Sequence, residues 1–390
     1  MRGPDVTKRR VGKQGIAATA VVLALSCVAA DVRDGQRKRR PNGPEDTPAG
    51  PPTRITTIIE NGGRLDWSAK NNMLVFDRRV GDGFFDIYTA TTSGENIICL
   101  TCDKEGLPPK SKGNPAWHPS GEYIVFQAQN TYPGLGAFSK SLGRITDYAA
   151  NPGAGINNDV WVTDRQGRRF WQLTEVKPRV GGVLHPHFSR LGDKLFWSER
   201  VSLKGPWGGW ALRVADFVVE RDQVSIRNAR AFRPGVQQRF YESHGFSPDG
   251  RELLFSGNLE RGQKESQGDI YLFEPQTGQI RNLTQSPKEW DEHAHFSPDG
   301  KTIVWMSSKG LPGEGKKTDY WLMNADGSGK RRLTFFNTPG HPESAKGDII
   351  AADFAWSPDG NRIAAYLITD VRTGGRIVLI EMMGGPRAGR

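Results

Sequence analysis

Residues 291–308 read DEHAHFSPDGKTIVWMSS, and after a Gly-bearing loop residues 318–336 read TDYWLMNADGSGKRRLTFF. The first run leads to Phe296, and Ser297-Pro298-Asp299-Gly300 then reverses the chain, because Pro presets one turn angle and Gly supplies a positive φ. Ile303, Trp305 and Met306 follow in a β-rich run, so a hairpin is predicted. Asp319-Tyr320-Trp321-Leu322 opens a third run, Asn324-Ala325-Asp326-Gly327 turns it, and Arg331-Arg332-Leu333-Thr334 forms a fourth. Four short antiparallel strands in this order make one propeller blade.

The unit repeats along the chain. Its turn recurs as Ser247-Pro248-Asp249-Gly250 and Ser357-Pro358-Asp359-Gly360. Looser copies follow Trp67, Trp117 and Phe188, giving six at a spacing of roughly 50 to 70 residues. The third strand recurs as Asp86-Ile87-Tyr88, Asp159-Val160-Trp161 and Asp269-Ile270-Tyr271. The fourth ends in Leu-Thr at Leu100, Leu173, Leu283 and Leu333. The expected fold is therefore all-β, a six-bladed β-propeller over residues 54–383. Ile55 to Glu60 has no partner in blade one, and the last blade has no fourth strand after Arg376 to Ile380. The N-terminal strand is thus predicted to close the ring as the outer strand of blade six.

The aromatic-Ser-Pro-Asp-Gly hairpin, with its following Asp-Ile-Tyr and Leu-Thr, resembles the WD-like repeats of the TolB family. Related blades occur in prolyl-oligopeptidase-type peptidases. The resemblance implies a fold and an envelope setting, and leaves function to the site. TolB-family proteins carry an α/β domain before the propeller, where this sequence has a linker-like stretch, so a Tol-Pal role is not what the likeness implies. The peptidase reading needs a hydrolase domain with a Gly-x-Ser-x-Gly elbow, and the sequence has no such motif.

Composition agrees with an exported β protein. With 36% hydrophobic residues, 47 Gly, 25 Pro and 11 Trp in 390 residues, the chain can bury a large core between tight turns. The net charge is +10, but residues 1–54 hold 11 Lys/Arg against 5 Asp/Glu, leaving 42 against 38 elsewhere. The propeller is not markedly basic, and nucleic acid is not an expected partner. Lys8, Arg9, Arg10 and Lys13 precede an apolar run from Ile16 to Leu25, and Val28-Ala29-Ala30 fits a cleavage site. Residues 1–30 are read as a signal peptide, residues 31–53 as a disordered basic and Pro-rich linker, and residues 384–390 as a tail. The location expected is periplasmic or secreted, and the protein monomeric. Cys27 resembles a lipoprotein acceptor, which would give the one membrane attachment foreseen.

Cys99-Leu100-Thr101-Cys102 lacks the following His of a haem motif and the second pair of a structural zinc site. It leaves a local disulfide, favoured in an exported protein, or two thiols beside a strand end. The connection from Asn130 to Asn158, with the loops at Lys204 to Gly209 and Gly310 to Lys317, concentrates elaboration on one face, where binding is expected.

Of seven His, five fall in the short runs before a hairpin aromatic: His185, His187, His244, His293 and His295. These runs are the innermost strands around the channel. Residues i and i+2 of a strand share a side, so His185/His187 and His293/His295 are predicted same-side pairs. Glu242, Asp291, Glu292 and Asp353 stand at strand entries, with Arg239 nearby. Imidazoles and carboxylates converging there suit one divalent metal (Zn, Mn or Fe). The arrangement is similar to oligogalacturonate lyases, in which a metal neutralises the substrate carboxylate while a protein base removes a proton. Two functions follow: a binding module or scaffold for an envelope protein or glycan on the loop-rich face, with no cofactor required, or a divalent-metal-dependent lyase or hydrolase acting on an anionic carbohydrate. In the second the base is unassigned, with Arg239 and His244 as candidates.

Overall fold

A computed structural model describes residues 54–382, except 81–82, 132–151, 179, 206, 236–238, 265, 314–316 and 371–373. The expected leader with Cys27, the expected linker and C-terminal tail, and most of the long blade-two connection lie outside the described residues. Six four-stranded antiparallel sheets form the ring. Their innermost strands are Leu65–Ser68, Lys112–Trp117, Gly182–Phe188, Tyr241–Phe246, Asp291–Phe296 and Ile350–Trp356, in blades one to six. The N-terminal strand Arg54–Gly62 is the outer strand of blade six. It pairs with Gly374–Glu381 in a register that sets Ile55 opposite Ile380 and Glu60 opposite Arg376, as the missing sixth-blade strand required.

The recurring motifs have a physical role. In each Ser-Pro-Asp-Gly turn the Ser hydroxyl donates to the Asp carboxylate at 2.5–2.6 Å. The Gly takes a φ of 69–73°, which a Cβ disfavours. The separated Asp and Leu-Thr motifs form one clamp. Thr101, Thr174, Thr284 and Thr334 donate their hydroxyls to Asp86, Asp159, Asp269 and Asp319 at 2.6–3.0 Å. The same hydroxyls accept the backbone N–H that follows each Asp at 2.9–3.0 Å. The clamp ties the third strand to the segment leaving the fourth in blades one, two, four and five. Blade three lacks these motifs, and its last two strands run to 12 and 10 residues instead. Apolar faces of neighbouring blades bury Trp197, Trp210, Trp305 and Trp321 almost completely. Cys99 and Cys102 form a disulfide at the end of blade one.

The inner strands are not regular. In blades two to six their pairing slips at Gly113/Ala116, Leu184/His187, Ser243/Gly245, Glu292/His295 and Ala351/Phe354. Such bulges re-aim side chains and commonly stand beside functional sites. Asn114, His185 and His293 sit in the left-handed region at φ 47–50°. That region disfavours a side chain, so the surrounding structure must hold these residues there.

Candidate metal centre at the channel mouth

Counting three residues back from each hairpin aromatic gives Arg64, Asn114, His185, Ser243, His293 and Asp353. This one repeat position supplies most of a polar layer across the channel. His185 Nδ1 lies 3.5 Å and His293 Nδ1 3.1 Å from Asp353 Oδ1, with Arg64 Nε 3.9 Å from Asp353 Oδ2. One position earlier in blades four and five stand Glu242 and Glu292. Glu242 Oε1 is 2.8 Å from His185 Nε2. Donor atoms of His185, His293 and Asp353 fall within 4.8 Å of one another, as do those of Glu242, Glu292 and His293.

The layer divides the channel. Arg64, His185 and Asp353 line both a cavity of about 360 Å³ on the loop-rich side and a chamber of about 220 Å³ beneath it. The upper cavity is also lined by Glu242, Glu292 and His293, with Trp207, Phe240, Trp290 and Tyr366 around them. His187 and His295 line the lower chamber.

The five imidazoles do gather, but the bulges change the pairing expected from strand alternation. The closest ring contacts run across blades: ring centroids are 5.3 Å apart for His185/His293 and 5.5 Å for His187/His295, against 6.4 Å for His185/His187 within one strand. His185 and His293 form an upper tier with the carboxylates, and His187 and His295 a lower one. His244 stands between the tiers, 5.9 Å from His293 and 6.4 Å from His295. Its Nε2 is 3.0 Å from Ser256 Oγ. His187, His244 and His295 belong to none of the close donor groups among the described residues.

Two expected ligand-binding residues are placed elsewhere. Asp291 turns into blade five, accepting from Trp305 Nε1 at 3.2 Å and from Ser286 Oγ. Alternation along the strand sends its neighbour Glu292 to the channel instead. Arg239 is not among the described residues lining the cavity, although it precedes Phe240, which is. Arg64 and Asp77 escaped the sequence reading. Asp77 is fully buried on the second strand of blade one and accepts from the backbone N–H groups of Arg64 at 3.0 Å and Asn114 at 3.1 Å. Its Oδ2 pairs with Arg64 Nη1 at 3.4 Å. A Cβ at Gly63 would strike its carboxylate, so the glycine makes room for it. The position three before Trp67 was the signal for Arg64. Nothing in the sequence marked Asp77.

Electrostatics set the protonation of the metal-free layer. Burial pushes Asp353 up, but His293, His185 and Arg64 outweigh it and hold the carboxyl well below the usual range. Burial disfavours a charged His293, yet Asp353, Glu242 and Glu292 raise its pKa to about 9. Burial and the neighbouring Glu242 push Glu292 far up, whereas Glu242 is lowered because His185 and His293 overcome the same burial. Burial lowers His187 and His244 strongly, and brings His295 to about 4. His187 Nε2, His244 Nδ1 and His293 Nδ1 are buried without a hydrogen-bond partner. The 3.1 Å approach of His293 Nδ1 to Asp353 is thus an ion pair out of hydrogen-bonding line.

These donors fit a divalent ion. Ligand atoms about 2.1 Å from one ion stand about 3.0–3.4 Å apart, close to the observed 3.1 and 3.5 Å. Glu242 against Nε2 of His185 would fix its tautomer and leave Nδ1 for the metal, a common outer-shell arrangement.

No family model matches the chain. It is 34% identical over 140 residues to the Tol-Pal system protein TolB of Anaeromyxobacter dehalogenans, covering 36% of this chain and 27% of that protein. It is 32% identical over 69 residues to dipeptidyl-peptidase 5 of Porphyromonas gingivalis, covering 17% of this chain and 10% of the peptidase. The matched stretches thus span about a quarter and a tenth of those relatives. Among solved structures, an oligogalacturonate lyase in complex with manganese superposes with a TM-score of 0.47 at 13% identity, over 85% of this chain and 91% of the lyase. The chain is a six-bladed propeller whose repeats resemble those of TolB.

Proposed function

We propose that this protein is a ligand-binding β-propeller whose loop-rich face admits a small molecule to the channel mouth, with a divalent metal at the floor of the cavity. The observation that carries the reading is the triad of His185, His293 and Asp353 from three blades, its donor atoms within 4.8 Å and His293 Nδ1 ion-paired but without a hydrogen bond. The donor set of two nitrogens and carboxylate oxygens suits Zn²⁺, Mn²⁺ or Fe²⁺. When bound, such an ion supplies a Lewis acid that neutralises an anionic ligand group. Metal binding requires His293 to lose its proton, so affinity rises with pH. Arg64, braced by Asp77, holds Asp353 from the side opposite the imidazoles.

Metal analysis of purified protein, followed by titration of chelator-treated protein with Zn²⁺ or Mn²⁺, tests this. One equivalent is expected, with affinity falling at least about tenfold in His293→Ala and in Asp353→Asn. Absence of metal uptake, or identical uptake by both variants, would sink the reading. A second reading, metal-assisted elimination or hydrolysis, is favoured by the two cavity carboxyls. Their environments push Glu242 down and Glu292 up, as for a base and an acid. Glu242→Gln and Glu292→Gln variants that keep metal and any measured turnover would exclude it.

A further inference from the structure

We infer that the upper cavity takes an aromatic carboxylate, its acid group at the polar floor and its ring between the walls. This rests on the metal reading above. The floor carries Arg64, His185, His293 and the carboxylates already described, whereas Trp207, Phe240, Trp290, Ile350, Tyr366 and Ile368 form the walls. Most of these wall residues are only half-buried, so their faces are open to an occupant. Trp207 comes from the blade-three loop, Phe240 and Trp290 directly precede inner strands, and Tyr366 lies on the second strand of blade six. Four blades thus present rings to one volume of about 360 Å³, within the range of small-molecule sites.

The wall chemistry separates ligand classes. A saccharide carries hydroxyls around its ring, and each needs a partner when it leaves water. Above the floor, the described lining offers the Ser266 hydroxyl and the polar tips of Tyr366 and the two indoles. A planar ring needs none of these, and stacks edge-to-face or offset against Trp, Phe and Tyr. With a metal and Arg64 at the floor, an acid group finds two cations to meet its charge.

The test uses calorimetric titration of the manganese- or zinc-loaded protein with 2-naphthoate, benzoate and galacturonate. Naphthoate is expected to bind at least about tenfold tighter than galacturonate. Trp207→Ala should weaken naphthoate by about tenfold while leaving metal affinity unchanged. The loop position should survive this change, because the Trp207 contacts to Arg200 Nε and Trp210 Nε1 are made by its backbone carbonyl. Trp290→Ala provides an independent wall variant. Galacturonate binding as tightly as naphthoate, or naphthoate affinity untouched by both substitutions, overturns the inference. Metal uptake without naphthoate binding defeats the aromatic-acid inference and leaves the metal reading standing. Equal naphthoate binding to chelator-treated protein defeats the part of the inference that seats the acid group on the metal.

Discussion

Asp353→Asn should change how the stability of the metal-free protein depends on pH. Burial disfavours the His293 imidazolium, but Asp353, with Glu242 and Glu292 behind it, raises its pKa from 6.5 to about 9. That difference corresponds to roughly 3 kcal/mol of interaction with the proton in place. A His whose folded-state pKa is raised contributes fully below about pH 6.5, and the contribution disappears as pH climbs through about 9. Wild-type protein should therefore lose up to about 3 kcal/mol from this group across that window. The Asn variant lacks the leading carboxylate and starts lower, so the gap between the two should narrow by about 1 to 3 kcal/mol. Glu292, pushed up by burial and by Glu242, titrates in both proteins and largely cancels in the difference. His187, His244 and His295 are lowered and change charge below the window. The Arg64 contact with Asp353 is lost at every pH and shifts the whole curve. Urea unfolding followed by Trp fluorescence, in chelator at about pH 6, 7.5 and 9.5, would measure the gap. Parallel profiles would show that Asp353 does not hold the His293 proton.

Further outcomes test the fold and its setting. Deleting residues 54–62 leaves Gly374–Glu381 as an open sheet edge, so loss of the cooperative transition and self-association are expected by size-exclusion chromatography. Thr334→Val removes a donor to Asp319 and the acceptor for Tyr320 N, both buried, and should cost about 2 kcal/mol in urea unfolding. Replacing Cys99 and Cys102 by Ser opens a short loop and should cost about 1–2 kcal/mol by the same assay. If residues 1–30 direct export, mass analysis of the mature protein should place its N-terminus near Asp31.

The propeller was legible because its motifs carry its hydrogen bonds. The Asp and Leu-Thr signatures are two halves of one clamp, so they recur wherever the clamp does and vanish together in blade three. Ring closure was legible from a strand lacking at one end of the repeat and left over at the other. The His-rich strands pointed to the channel mouth, but their exact partners were hidden by the bulges. Strand alternation pairs His185 with His187, whereas the slip at Leu184/His187 brings His185 to His293 and Asp353. Alternation would have separated Asp291 from Glu292, and the two fall to opposite faces. Arg64 could have been read by extending the repeat alignment into blade one. Asp77 could not, because its place depends on the room Gly63 leaves just before the neighbouring strand rather than on any motif. The aromatic walls went unread because Phe240 and Trp290 precede the strands instead of recurring within them.

The pairing of Ile55 with Ile380 also sets an order of events. The two residues are 325 positions apart, so at synthesis rates of about 5–20 residues per second the last strand is made roughly 16 to 65 s after the first. Blades one to five can hydrogen-bond within themselves during that interval, while the opening strand has no local alternative. Until Gly374–Glu381 appears, it is a bare template for any other chain. The first strand of the sequence is thus the last whose partner exists.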